Sequence, residues 1–281
     1  MTLPIPTLDH VVVNARDLMG EAAACYERLG FTLTPRGRHT LGSINHLAMF
    51  GTDYLELIGV EPGGASPRAA DILRFPLGLN GLVFGTEDSL ATHAALQAAG
   101  LPVAEPVEFS RPVALPQGSE AARFRTVQLK PQAVPYGRVY FCHHFTRHLV
   151  WRDEWRRHRN GTIGIARVVI CAAQPAETAK PYQAMFGADA VRAIAGGFSL
   201  AVGLSRIDIL SPAALASELG DAASDPQGRG TYMAALTLRT LALDRAAGAL
   251  REGGVTTVQR SSGQLVVPAT EAFGAAIAFI E

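Results

Sequence analysis

Two polar residues interrupt apolar, strand-like runs and could carry chemistry. His10 lies in the run 8–15, and Glu56 lies in the run 54–60. Because side chains alternate across a strand, each shares a face with apolar neighbours, where a carboxylate is costly unless it is paired or coordinated. A divalent cation held by both would meet that need. A solvent-facing Glu56, and a His10 bonded to a backbone carbonyl, are the alternatives.

Other residues could assist such a centre. His39 and His46 lie in the neighbouring hairpin region, and imidazole titrates near neutral pH, so either could act as an acid or base. Both could equally be surface histidines. Arg147 and Trp151 begin an arginine-rich segment that could bind an anionic or aromatic substrate. The acidic residues in this segment also allow a solvated linker helix.

A βαβββ order of elements predicts how these residues are positioned. It recurs four times, from strands that start near residues 8, 79, 165 and 232. Each first strand leads into a helical run that stops at glycine, the residue best suited to end a helix. The helical runs are 21–29, 90–99, 178–186 and 243–252, and the other strands of the first unit are 31–35, 45–51 and 54–60.

One such unit cannot bury its own sheet face, so the four units are expected to form two pairs. The most charged stretch of the chain ends at the turn signal Asn160-Gly161. We therefore predict an N-terminal pair over 1–150 that bears the site, a linker over 151–163 and a C-terminal pair over 164–281. An ordinary α+β sheet protein without a repeat is the alternative.

Five motifs carry a resemblance to a known family. They are LDHVV at 8–12, YERLGF at 26–31, GRH at 37–39, YLEL at 54–57 and FCHHFT at 141–146. With them the sequence is similar to the vicinal oxygen chelate superfamily, in particular to its glyoxalase-like domain proteins, over roughly residues 8–172. The resemblance implies an α+β fold in which paired βαβββ modules form half-barrel domains, as in glyoxalase, bleomycin-resistance and dioxygenase proteins.

The resemblance also implies one divalent metal ion (Fe, Mn, Zn or Ni) that chelates neighbouring substrate oxygens. It favours His144 as a ligand, so the expected metal set is His10, Glu56 and His144. His143 is the second choice as ligand and is assigned to the substrate. Gly81 stands where the second unit should supply a ligand, which leaves either an extra open coordination position or a site without metal.

The third unit differs at both ligand positions. Arg167 aligns with His10, and Asp208 aligns with Glu56. Arginine does not coordinate cations, so we predict an Arg167–Asp208 ion pair, or exposure of one or both side chains, and no metal in the C-terminal pair.

Two functions follow. The first is a metal-dependent enzyme that acts on a small oxygen-chelating substrate, by isomerase or lyase chemistry or by ring cleavage. In it, His39 or His46 would transfer protons, and Arg147, Trp151 and His143 would bind substrate. The alternative is a metal-free protein that sequesters a small molecule.

Composition sets the expected environment. The chain has 25 basic and 25 acidic residues, which gives little attraction to nucleic acid or membrane, so the expected partner is a small-molecule substrate. A homodimer stays open. The three cysteines lack CxxC spacing, and no stretch approaches about 20 apolar residues, so we expect a cytoplasmic protein.

Overall fold

The computed structural model describes residues 3–4, 6–116, 118–260 and 262–281, and its strands form two eight-stranded sheets. The elements of the first half are β1 (Leu8–Arg16), α1 (Met19–Arg28), β2 (Gly37–Arg38), β3 (Ile44–Met49), β4 (Tyr54–Gly59), α2 (Pro67–Leu73), β5 (Gly78–Gly85), α3 (Ser89–Ala98), β6 (Val107–Leu115), β7 (Gly118–Gln128) and β8 (Arg138–His144).

The second half repeats this order. Its elements are β9 (Thr162–Ala172), α4 (Pro175–Phe186), β10 (Val191–Ile194), β11 (Gly197–Val202), β12 (Ser205–Leu210), α5 (Pro212–Leu219), β13 (Thr231–Thr240), α6 (Leu243–Glu252), β14 (Val258–Gln259), β15 (Leu265–Val267) and β16 (Ala276–Ile280).

Each sheet joins two βαβββ modules through their first strands. The strand orders are β2-β3-β4-β1-β5-β8-β7-β6 and β10-β11-β12-β9-β13-β16-β15-β14. In each module the last strand of the βαβββ unit runs parallel to the first, and the two first strands pair antiparallel at the centre of the sheet. The predicted α+β fold of paired modules in two half-barrels is confirmed.

A β-bulge occurs at the same place in all four first strands. The residues that the ladder skips are Asp9 in β1, Asn80 in β5, Ala166 in β9 and Ala234 in β13. A bulge inserts one unpaired residue and changes the direction of its side chain. At Asp9 this change shapes the candidate site.

Residues 31–35 were predicted to form a strand, and this prediction is wrong. The Thr34 N–H donates to the Leu47 carbonyl, and the Leu47 N–H donates to the Thr34 side-chain hydroxyl instead of its carbonyl. Pro35 has no N–H to continue a ladder. The chain therefore forms a loop here, and the short strand β2 begins at Gly37.

The sequence reasoning missed two helices, α2 and α5. Each begins with a Ser-Pro pair, and the serine side chain accepts a hydrogen bond from the backbone N–H three residues later. Serine at the N-cap followed by proline at the first helical position is a recognised helix start. Both helices contribute buried residues to the concave side of their sheet, Ile72 in the first half and Leu215 in the second.

The two halves share a hydrophobic core. One cluster of buried side chains runs from Val11 and Phe84 in the first half to Ile170 and Phe279 in the second. Polar contacts also cross between the halves: the Tyr136 and Tyr182 hydroxyls are 2.8 Å apart, and Asp53 Oδ1 accepts a 2.9 Å bond from the Ile165 N–H. The division at 1–150, 151–163 and 164–281 stays a prediction.

The predicted linker holds the halves together through its last residues. The short 3-10 helix Asp153–Trp155 takes the place of a regular linker helix. Buried His158 accepts from the Thr32 N–H and donates to the Met49 carbonyl, and Asn160 donates to the Leu29 carbonyl. Within the described ranges, none of the helices has both the length and the apolar character that crossing a membrane requires.

Candidate active site

The concave face of the first sheet encloses a cavity of about 530 Å³. Polar side chains, including His10, His39 and Glu56, meet apolar ones such as Leu47 and Phe124 in its wall. In the second half the enclosed part of the corresponding space measures only about 10 Å³, and the rest is an open groove beside Arg167 and Asp208. A small-molecule site of ordinary size is therefore available on the N-terminal sheet.

A buried ion pair occupies the second half-barrel at the positions that match the candidate centre. Arg167 Nε lies 2.5 Å from Asp208 Oδ2, so the predicted pair is confirmed. The guanidinium also binds Glu218 on α5, with Nη2 at 3.1 Å from Oε2. In this network the charged side chains of the second half-barrel pair with one another.

In the first half, His10 and Glu56 face each other in the cavity wall. His10 Nε2 lies 3.6 Å from Glu56 Oε2, and both side chains are almost completely buried. Asn45 Nδ2 donates a 2.7 Å hydrogen bond to Glu56 Oε1. Burial alone would raise the pKa of Glu56, but the neighbouring His10 outweighs it and lowers this pKa to about 2. The carboxylate is therefore ionised near neutral pH.

Asp9 fixes the orientation of the His10 ring. Its bulge brings the carboxylate beside its neighbour, and His10 Nδ1 donates a 2.6 Å hydrogen bond to Asp9 Oδ1. Burial opposes the charge on His10, but Asp9 and Glu56 overcome this and raise the pKa of His10. Because Nδ1 is bonded to Asp9, the other ring nitrogen points towards Glu56.

Tyr140 takes the place that a second acidic ligand would hold. In the first module, Glu56 on β4 pairs with Val12 on β1. In the second module, the residue that corresponds to Val12 is Val83 on β5, and its partner on β8 is Tyr140. Its hydroxyl lies 3.2 Å from His10 Nε2. Burial raises the pKa of this phenol above its usual range, so it stays protonated. Strand pairing thus puts Tyr140, and not the expected ligand His144, at the position equivalent to Glu56.

His144 does not join His10 and Glu56. Its Nε2 donates a 3.0 Å hydrogen bond to Asp9 Oδ1, so Asp9 lies between it and His10, on the opposite side of the ring from Glu56. Among the described residues, the three donors found within 4.8 Å of one another belong to Asp9, Cys142 and His144. The structure therefore does not bring the expected metal set of three together.

A family model described as a glyoxalase-like domain matches residues 8–186. The chain belongs to this family. The predicted membership of the vicinal oxygen chelate superfamily is thereby confirmed. No curated protein matches the sequence.

Solved structures with the same fold cover nearly the whole glyoxalase-like chain. A hypothetical protein from Staphylococcus aureus has a TM-score of 0.65 at 14% identity, covering 98% of this chain and 99% of its own. A mutant of 4-hydroxymandelate synthase from Streptomyces coelicolor has a TM-score of 0.60 at 11% identity, covering 99% and 92%. A fusion of a xylose isomerase-like TIM barrel with 4-hydroxyphenylpyruvate dioxygenase has a TM-score of 0.55 at 12% identity, covering 99% and 49%. At these identities the likeness concerns the fold.

His10 and Glu56 of this glyoxalase-like chain provide two donor atoms that suit one divalent ion. Ions such as Zn²⁺ lie about 2.0–2.2 Å from imidazole nitrogen and carboxylate oxygen, so the 3.6 Å between His10 Nε2 and Glu56 Oε2 accommodates one ion. A ligand histidine that donates its other N–H to a carboxylate, as His10 does to Asp9, is usual in metal sites. The two symmetry-related positions hold Gly81 and Tyr140, so the other coordination positions would be open to the cavity.

Gly81 cannot be replaced without cost, because a Cβ at this position would lie 2.6 Å from Val12 Cβ. We expect Gly81→Ala to lower the free energy of unfolding by about 1–3 kcal/mol through overpacking. The loss should be smaller in a Val12→Gly background, measured by urea unfolding as a double-mutant cycle. Gly51→Ala is the control, since its nearest contact is an ordinary 3.6 Å. Equal losses in both backgrounds would contradict this packing account.

The other predicted acid–base histidines lie in different places. His39 lines the cavity, where its ring nitrogens lie 2.9 Å from Ser43 Oγ and 3.3 Å from Asn45 Nδ2. Burial lowers the pKa of His39 to about 4, so this ring is neutral near pH 7. His46 lies outside the cavity and is held by the Thr34 carbonyl at 2.8 Å.

The predicted substrate-binding residues are also outside the cavity wall. His143 lies on the other face of β8 from His144, with Nδ1 3.4 Å from Ser89 Oγ on α3. Trp151 packs against His144, with ring centroids 5.1 Å apart, and Arg147 stacks on the Trp151 ring. The two side chains therefore cover the Asp9–His144 side of the centre, and the structure gives them a packing role.

Sequence reasoning missed four polar residues around the cavity: Asp9, Asn45, Arg111 and Tyr140. A signal was available for two of them. Arg111 shares one face of β6 with Phe109 and Val113, which puts a charge on an apolar face. Tyr140 likewise shares a face of β8 with Cys142. For Asp9 the alternation rule gave the opposite face, because a bulge cannot be seen in the sequence pattern.

Proposed function

We propose that the chain is a divalent-metal-dependent enzyme that acts on a small substrate through two neighbouring oxygen atoms. The observation that carries the proposal is the pair His10 Nε2 and Glu56 Oε2, 3.6 Å apart in the wall of a 530 Å³ cavity. These two side chains would hold the ion. When bound, it would supply Lewis-acid stabilisation of negative charge developing on a substrate oxygen.

The surrounding residues set the protonation and orientation of this centre. Asp9 keeps Nε2 of His10 directed at Glu56, and Asn45 holds the Glu56 carboxylate through Oε1. Tyr140 faces the cavity as a neutral phenol and can donate a hydrogen bond to a substrate oxygen or return a proton to carbon. His39 is a neutral ring whose nitrogens are both bonded, so it positions Asn45 rather than acting as a strong base.

This residue set favours proton-transfer chemistry, such as isomerisation or elimination, over ring cleavage. Ferrous oxygenases commonly use two histidines and one carboxylate. Here one histidine and one carboxylate face each other, while His144 is bonded to Asp9. A protonated tyrosine beside the pair provides the proton donor that isomerases and lyases require.

Elemental analysis of tag-free protein, purified without chelator, tests the proposal. We expect about one divalent ion per chain, because an imidazole and a carboxylate that already face each other retain an ion through dialysis once it has displaced the His10 proton. A protein that carries no divalent ion at stoichiometric level, and takes up none when Zn²⁺, Mn²⁺, Fe²⁺ or Ni²⁺ is added, would contradict it. That result would support the metal-free sequestering function instead.

A further inference from the structure

Arg111 is a buried cation in the cavity wall. Arg111 is only 4% exposed, and its Nη2 atom is buried without a hydrogen-bond partner among the described residues. Burial lowers the pKa of this guanidinium, although Glu56 acts in the opposite direction. Buried charges in proteins are normally paired, because leaving water without a partner is strongly unfavourable.

The two buried or half-buried carboxylates of the cavity wall are already matched by other partners, and the third, Glu105, is largely exposed. Glu56 faces His10 and accepts from Asn45. Asp71, on α2, lies 3.5 Å from Arg68 and 3.1 Å from Arg74. Within the described part of the chain, Arg111 has no carboxylate within salt-bridge distance.

A second buried guanidinium adds to the positive charge. Arg138 is fully buried; its Nε donates to Asn80, while Nη1 and Nη2 have no partner among the described residues. Its Cζ lies 6.0 Å from the ring centroid of Tyr140, which lines the cavity. Arg138 does not line the cavity itself, but it adds a positive charge next to the wall that Arg111 and Tyr140 form.

Arg111 lies close to the proposed centre. An added Cβ on Gly37 would lie 2.3 Å from Asn45 Oδ1 and 3.0 Å from Arg111 Cδ, so both side chains approach the same glycine. The other end of the Asn45 amide donates to Glu56. Asn45 is therefore close to both Arg111 and Glu56.

The remaining wall is apolar and aromatic. Phe109 and Phe124 stack with ring centroids 5.2 Å apart, and Leu47, Val107 and Ile58 line the same space. Such a surface suits the apolar body of a ligand. The unpaired Arg111 guanidinium in this wall suits a negatively charged group, and the planar fork of arginine matches a carboxylate.

We propose that the substrate of this cavity is an apolar carboxylic acid whose carboxylate pairs with Arg111 while its body packs against Phe109 and Phe124. This inference rests on the proposed function in taking the cavity as the substrate site. It adds the chemical class of the substrate and names Arg111 as the residue that selects it.

Binding of phenylacetate, with phenylacetamide as its neutral match, tests the inference by calorimetry in the presence of EDTA. The chelator removes any contribution from a metal ion, so the result does not depend on the metal proposal. We expect phenylacetate to bind at least about 10-fold more tightly than the amide, and Arg111→Met to abolish this preference. Arg123→Met, at an exposed arginine outside the cavity lining that pairs with Glu108, is the matched control and should keep it.

Thermal unfolding of the ligand-free variants gives a second readout. Because Arg111 is unpaired in the empty cavity, Arg111→Met should raise the Tm, whereas a purely structural arginine would lower it on substitution. Equal binding of acid and amide, a fall in Tm, or binding of inorganic phosphate but not phenylacetate would each overturn the inference. Binding of phenylacetate only when metal is present would also overturn it and leave the metal proposal intact.

Discussion

His10→Ala and Glu56→Gln are each expected to lower the affinity for the divalent ion by more than about 100-fold, because each removes one of two protein ligands. Glu56→Gln is the sharper variant. It keeps the shape of the side chain and an oxygen for the 2.7 Å bond from Asn45, and loses only the charge. Competition titration against a chromophoric chelator measures the loss.

The stability of these variants must be followed with the metal content. His10→Ala leaves Asp9 and Glu56 buried without their shared partner, and breaking a buried pair costs about 3–5 kcal/mol. Circular dichroism and Tm therefore accompany each titration. His148→Ala is the matched control, since this histidine is exposed and should leave metal binding unchanged. Wild-type affinity in a folded Glu56→Gln variant would contradict the assignment.

Asp9→Asn is expected to weaken metal binding by about 10–100-fold, although Asp9 does not line the cavity wall. Its carboxylate accepts from both His10 and His144, and outer partners of ligand histidines typically contribute this much. Both bonds end on Oδ1, so an asparagine could still accept them, but it lacks the negative charge that strengthens them and raises the pKa of His10. Asp71→Asn, at another cavity carboxylate outside this network, is the control.

The pH profile separates this positioning role from simple unfolding. Metal must displace the proton on His10, so affinity falls as pH decreases through the pKa of His10. Asp9 raises this pKa in the folded protein, so its loss should move the fall in affinity to lower pH. A variant that loses affinity with an unchanged pH profile would show that Asp9 acts only on stability.

The parts of this structure that follow simple periodic rules could be predicted from the sequence. Apolar runs ending at turn residues indicated β1, β4, β9 and β13, and α6 begins and ends at its predicted residues. The isolated polar residues His10 and Glu56 marked the centre because a charge in an apolar strand needs a partner. The same reasoning in the third unit indicated the contact between Arg167 and Asp208.

The predicted side-chain positions that failed depended on small shifts along the strands. The bulge at Asp9 puts two consecutive side chains next to one another, which strict alternation forbids. The resemblance favoured His144 as a ligand, whereas strand pairing puts Tyr140 at the position equivalent to Glu56 and His144 is bonded to Asp9. Arg111 was not considered because its importance lies in a missing partner, which only three-dimensional contacts reveal.

An anomalous difference map from crystals of the metal-loaded protein, measured at the absorption edge of the bound ion, locates the ion directly. We expect one peak between His10 Nε2 and the Glu56 carboxylate, facing the cavity. A peak held instead by Asp9, Cys142 and His144, the donors that lie within 4.8 Å of one another, would contradict it. So would a loaded crystal with no peak at His10.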